Sequence, residues 1–87
     1  MYKVKVDDKA VKFLRTLGAK TQKQIVHKLQ TLAQNPRPAG YVAIKGVKDL
    51  CRIRCGDYRI VYSIRDRELL VLVVRIGDRK NVYERLV

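Results

Sequence analysis

Apolar residues recur along this 87-residue chain with two different periods, and the change of period divides it into two parts. Tyr2, Val4 and Val6 alternate with Lys3 and Lys5, the period-two pattern of a half-buried strand. Asp7 or Asp8 offers a cap for a following helix, whose apolar stripe is Ala10, Leu14 and Leu17 and whose C-terminal end suits Gly18. Thr21 and Gln24 have the spacing of a capping box for a second helix. Ile25, Leu29, Leu32 and Ala33 continue it at helical spacing until Asn35-Pro36 stops it. A short loop between the two helices predicts an antiparallel helical hairpin.

Asn35 to Gly40 is the only linker-like stretch, and it is too short to separate domains. Beyond it the period becomes two. Tyr41 to Ile44 is a candidate short strand; Cys51 to Cys55, Tyr58 to Arg65 and Leu69 to Ile76 are stronger ones, separated by Gly56-Asp57 and by Asp66 to Glu68. The last is apolar on both faces, as a central strand under helices would be. Arg79 to Val87 is too short to assign. The order β-α-α-β-β-β, with helices segregated from a mainly antiparallel sheet, reads as an α+β fold in one small domain spanning residues 1–87.

Charge changes the picture most. Lys and Arg total 20 against 8 Asp and Glu, a formal +12 whose self-repulsion points to a polyanionic partner, with nucleic acid the usual one. Seven of the ten lysines fall in the first 28 residues, whereas eight of the ten arginines lie from Arg52 onward. Lysine is a solubilising point charge; arginine is a planar fork that grips phosphate with two hydrogen bonds. The C-terminal half is therefore the half equipped for recognition. No apolar run nears the roughly 18–20 residues of a membrane span, and the N-terminus has no secretion-signal core. These two features lead to the expectation of a cytoplasmic protein that does not engage membranes.

The informative segment is CRIRCGDYRIVY, residues 51–62. Cys51, Ile53 and Cys55 face one way; Arg52 and Arg54 face the other. Gly56-Asp57 suits a two-residue hairpin loop of type II′, with glycine first. Cys55 then pairs with Tyr58, Arg54 lies opposite Arg59, and Arg52 lies opposite Val61. Like charges directly opposite each other on a sheet are destabilising by up to about 1 kcal/mol. A phosphate between them reverses the sign, and its geometry matches guanidinium. The alternative is a solvated strand face with scattered basic residues. Cys51 and Cys55, four apart on one strand, are too far apart for a disulfide within it. With a single histidine they also give no zinc pattern and read as small core residues. His27 falls in the second helix, away from the arginines.

Further along, Gly77 lets the chain turn so that Arg79 swings over the sheet edge, and Tyr83 offers a ring for stacking on a base. A late tyrosine is also a common core plug. Taken together, Asn35-Pro36, Lys45-Gly46, Arg52-Ile53-Arg54, the run Gly56 to Tyr62, Ile76-Gly77, and Arg79 with Tyr83 resemble, across essentially the whole chain, the RelE branch of the RelE/ParE toxin superfamily. The resemblance implies a toxin of a type II toxin–antitoxin pair, a ribosome-dependent endoribonuclease that cuts messenger RNA in the decoding site without metal or other cofactor. It also implies silencing by a cognate antitoxin, with promoter DNA bound only by the toxin–antitoxin complex. In that chemistry the ribose 2′-hydroxyl attacks the adjacent phosphate.

By motif position, Arg52, Arg54 and Arg59 would clasp the scissile phosphate, Arg79 would stabilise the leaving 5′-oxygen, and Tyr83 would orient the neighbouring nucleotide. Lys45, Lys48 and Lys80 join Arg52 as candidate RNA contacts. The resemblance departs at Arg52 and Arg54, which are lysines in the best-studied RelE type. Arginine stays protonated, so these positions supply no general base. Asp57 reads as a turn residue and Asp78 as an ion-pair partner of a neighbouring arginine. Two rival functions share the fold and charge: a ParE-like gyrase poison, and a non-catalytic protein that only occupies RNA or the ribosome.

Overall fold

The computed structural model describes residues 1–46 and 49–78. The N-terminal alternation forms β1 (Lys3–Val6), and Asp7 caps α1 (Asp8–Arg15) in extended backbone geometry without a side-chain hydrogen bond. The helix closes at Thr16, so Leu17 and Gly18 lie beyond it. Gly18 is instead the extended N-cap of α2 (Ala19–Gln34). The capping-box reading is corrected with it. Thr21 lies inside the first turn of α2, while Gln22 donates from its backbone N to Gly18 O at 2.9 Å and from Nε2 to Leu17 O at 2.7 Å. A glycine between two helical stripes fits the end of one or the start of the next. Here the second use prevails because the hairpin turns within Thr16–Gly18.

After Asn35 come β2 (Val42–Ala43), β3 (Leu50–Cys55) and β4 (Tyr58–Arg65). A 3₁₀ turn over Asp66–Glu68 then leads to β5 (Leu70–Asp78). The candidate strand at 41–44 is thus trimmed to two residues, and the last strand runs two residues beyond Ile76. Five strands form one mixed sheet in the order β1-β5-β4-β3-β2. Antiparallel neighbours join β2 through β5, and β1 closes the other edge by pairing parallel to β5, Lys3 opposite Leu70 and Val6 opposite Val73.

Both helices pack on one face. Ala10, Ile25, Leu29 and Leu32 meet Ile53, Ile60, Tyr62, Val71, Val73 and Ile76, all buried. Phe13 of α1 meets Tyr58 edge-on, with ring centroids 6.0 Å apart. Tyr62 is fully buried and donates its hydroxyl to Pro36 O at 2.8 Å, which satisfies both polar groups and anchors the chain leaving α2. Burial pushes the Tyr62 phenol well above the usual tyrosine range, so it stays protonated and able to donate.

A second anchor lies at the far end of β4. Arg37 grips Asp66 with both Nη groups, at 3.2 and 2.9 Å, and the Tyr2 hydroxyl donates to the same carboxylate at 2.6 Å. Arg37 and then Tyr2 lower the Asp66 pKa below the usual carboxylate value, and Asp66 raises that of Tyr2. Cys51 and Cys55 are free thiols at the margin of the core. Burial raises both above the ordinary cysteine value and keeps them protonated. Among the described residues no helix is long and apolar enough to cross a membrane.

Candidate functional site

The sheet face turned away from the helices carries the arginines. Strand pairing places its side chains in rows: Arg54, Arg59 and Gly77 in one, then Val42, Arg52, Val61 and Arg75 in the next. Beyond these lie Leu50, Ser63, Leu72 and Lys5, and finally Arg65, Leu70 and Lys3. Adjacent strands lie about 4.8 Å apart and successive rows about 7 Å apart. Four guanidinium groups therefore share two neighbouring rows. The expected juxtaposition holds: Arg54 is directly opposite Arg59, Arg52 is opposite Val61, and Cys55 is opposite Tyr58.

The hairpin geometry explains why. Gly56 has φ +62°, while Asp49 and Leu69 are the only described non-glycine residues with positive φ, so Asp57 stays on the negative side. Positive φ at the first central residue alone is the type II′ signature, and it locks the register of the two strands. The turn also orients one member of the site. Arg54 donates from Nε to Gly56 O at 2.9 Å, which leaves its two Nη groups for a ligand. Arg54 is exposed, whereas Arg52, Arg59 and Arg75 are half-buried.

Arg75 was not among the expected site residues. Counted with period two from Val71 and Val73, it would point into the core. The pairing with β4 instead shifts between Val61 and Tyr62: Tyr62 faces Val73, Val61 faces Arg75, and Val74 is left over. This β-bulge turns Ile76 inward, where it is 3% exposed, and Arg75 outward onto the arginine face. The signal was present in the sequence, because a lone arginine inside an apolar strand is expelled from a core that offers it no partner.

Lys45 lies after β2, in the turn made by Gly46 at φ +80°. With Val42, Ala43, Ile44 and Arg52 it lines a shallow groove of about 300 Å³ beside the arginine rows. Lys48, Arg79, Lys80 and Tyr83 lie outside the described residues. Asp57 occupies the hairpin turn as expected. Asp78 ends β5 exposed, and its neighbour Arg79, the expected ion-pair partner, lies outside the described residues.

His27 is exposed on α2, in the helical layer. No described histidine or carboxylate occupies the two arginine rows, which can bind and neutralise charge but hold no group suited to take a proton. Among the described residues no three His, Cys, Asp or Glu side chains gather as metal ligands.

The family model for the ParE toxin of the type II toxin–antitoxin system parDE matches residues 4–83. The mRNA interferase toxin RelE of Escherichia coli K12 is 31% identical, over 99% of this chain and 94% of that protein. The RelE–RelB complex of the archaeon Pyrococcus horikoshii contains a chain that superposes with a TM-score of 0.81 at 26% identity, covering 93% of this chain and 98% of that one. The intact RelBE toxin–antitoxin complex of E. coli gives 0.77 at 30% identity, covering 92% and 99%.

Proposed function

Because the chain belongs to the RelE/ParE family of type II toxin–antitoxin toxins, we propose that it is a ribosome-dependent endoribonuclease, cutting messenger RNA in the decoding site and thereby arresting translation in the cytoplasm. The observation that carries this reading is the direct opposition of Arg54 and Arg59, with Arg52 one row away, on a sheet face the helices leave uncovered. Guanidinium groups so placed can grip one phosphate together, and a phosphate lying over them turns their mutual repulsion into attraction.

In the proposed reaction the 2′-oxygen bonds to phosphorus as the bond from phosphorus to the 5′-oxygen breaks. The products are a 2′,3′-cyclic phosphate and a 5′-hydroxyl. The 2′-hydroxyl proton is lost and the leaving oxygen gains one. Arg52, Arg54 and Arg59 hold the scissile phosphate and neutralise the additional negative charge of the pentavalent transition state. They also fix the in-line approach of the attacking oxygen. Arg79 is assigned to the leaving oxygen and Tyr83 to the adjacent base. Lys45, Lys48 and Lys80 contact the RNA beside them. With arginine at 52 and 54, proton removal falls to Tyr83 or to ribosomal RNA.

A cognate antitoxin follows from the family, since the P. horikoshii and E. coli relatives crystallised with RelB partners. An acidic, partly helical segment would cover the arginine face or the helical hairpin, and only that complex would bind promoter DNA. Co-expression with the neighbouring gene product should give one co-eluting complex on gel filtration; separate elution would reject it.

The match to the ParE model supports a second reading, poisoning of DNA gyrase. Primer extension on a defined message, with purified protein and with or without programmed ribosomes, separates the two. Cuts at fixed positions of the decoding-site codon, seen only with ribosomes, are expected. Intact message together with double-strand DNA breaks in arrested cells would move the assignment to gyrase.

A further inference from the structure

The bulge in β5 has a chemical consequence on the open face. It places Arg75 in the row of Arg52, two strands away across Val61 and so roughly 10 Å from it. Arg75 is half-buried, and its Nε is sealed from solvent with no hydrogen-bond partner among the described residues. Retaining a charge there without an internal partner is unfavourable. A strand that followed strict alternation would have needed no bulge, and bulges beside active sites commonly re-aim one side chain.

Resting on the nuclease reading above, we propose that Arg75 forms a second phosphodiester subsite, holding the message phosphate next to the scissile one. The scissile phosphate lies over Arg54 and Arg59, and Arg75 stands one row and one strand away, on β5. That offset is comparable to the separation of neighbouring phosphates in an extended single strand. Arg75 thereby positions the message, so that the scissile phosphate settles between the other guanidinium groups with its neighbour already held. Arg75 acts in substrate binding and takes no part in proton transfer.

The test compares wild type, Arg75→Met and Arg75→Lys. Methionine keeps an unbranched apolar stem beside Val61 and removes the charge; lysine restores the charge. Each protein is titrated onto ribosomes programmed with a message made uncleavable by a 2′-O-methyl group at the cut, over a range of KCl concentrations. For Arg75→Met, affinity is expected to fall on the order of tenfold, as for loss of a charged hydrogen bond, and the salt slope to become shallower by about 0.7, one single-strand phosphate contact. Arg75→Lys should recover most of both. In single-turnover cleavage of an unmodified message, Arg75→Met should need more protein for half-maximal rate but reach a similar rate at saturation.

An unchanged slope and affinity in Arg75→Met would overturn the subsite, whether or not the wild type cleaves. An equal loss on ribosomes whose message stops short of the decoding site would place the contact on ribosomal RNA and overturn it too. Failure of the wild type to cleave any message would reject the nuclease reading, and the salt slope would still decide for or against Arg75.

Discussion

On the helix side of the sheet, Ile53, Ile60, Tyr62, Val71, Val73 and Ile76 are at most 4% exposed. On the other side, alternate positions of the same strands include Arg52, Arg54, Arg59 and Arg75, set around the buried Val61 and Ser63. The strands are the same, so the period-two geometry alone assigns each residue to a face. On the first face every polar group needs an internal partner, as the Tyr62 hydroxyl finds at Pro36. On the second, four like charges gather in two neighbouring rows. On the proposed reading one face carries stability and the other RNA binding, and substitutions on the two faces should separate.

The largest expected effect is on the open face. Arg59→Ala should lower the single-turnover cleavage rate by about 10²–10³-fold, as for removal of one transition-state donor. The unfolding midpoint should change little. Full growth arrest by this variant would remove Arg59 from the site. Next comes the covered face. Tyr62→Phe strands the Pro36 carbonyl and should cost about 1–3 kcal/mol, each kcal/mol being about 4–8 °C in Tm for a domain of this size. Its cleavage rate at permissive temperature should match wild type; a strong loss of rate with unchanged Tm would mean the two faces are not independent.

A smaller effect sharpens the chemistry of the open face. Arg54→Lys should cleave at a rate within about threefold of wild type or above it, because an ammonium keeps the charge and gives up its proton more readily. Complete loss would mean that the planar fork is indispensable at that position. The smallest effect concerns neither face but the clamp at the end of β4. Asp66 is held ionised by Arg37 and Tyr2, so its lowered pKa contributes stability above its unfolded-state value near 3.8, lost as pH falls through the folded one. Asp66→Asn should flatten that acid limb of a Tm–pH profile and leave activity alone, with a modest amplitude because the pair is exposed. An unchanged profile would show that the clamp contributes nothing.

Local rules carried the sequence reading furthest where the chain is continuous. The Gly56-Asp57 turn fixed the pairing of Arg54 with Arg59 without any knowledge of the rest of the molecule. The stripe Ile25, Leu29, Leu32 gave the buried side of α2 directly. Long-range choices were less legible. Nothing near Lys3 reveals that its strand pairs parallel with Leu70, because that contact depends on the whole chain folding between them. Gly18 carries a signal shared by helix ends and helix starts. Arg75 needed the bulge, which alternation alone does not announce, although its charge within an apolar strand was the clue. The Arg37–Asp66–Tyr2 clamp joins three segments distant in sequence, and no spacing rule links them.

The most direct measurement uses a message carrying a single 2′-deoxynucleotide at the mapped cut, incubated with the protein and programmed ribosomes. An arginine face that only binds and neutralises charge must recruit its nucleophile from the substrate. Cleavage at that position should therefore disappear, while the all-ribose control yields a 2′,3′-cyclic phosphate and a 5′-hydroxyl. Continued cutting of the deoxy-substituted message at the same bond would show that the nucleophile comes from elsewhere and contradict the account.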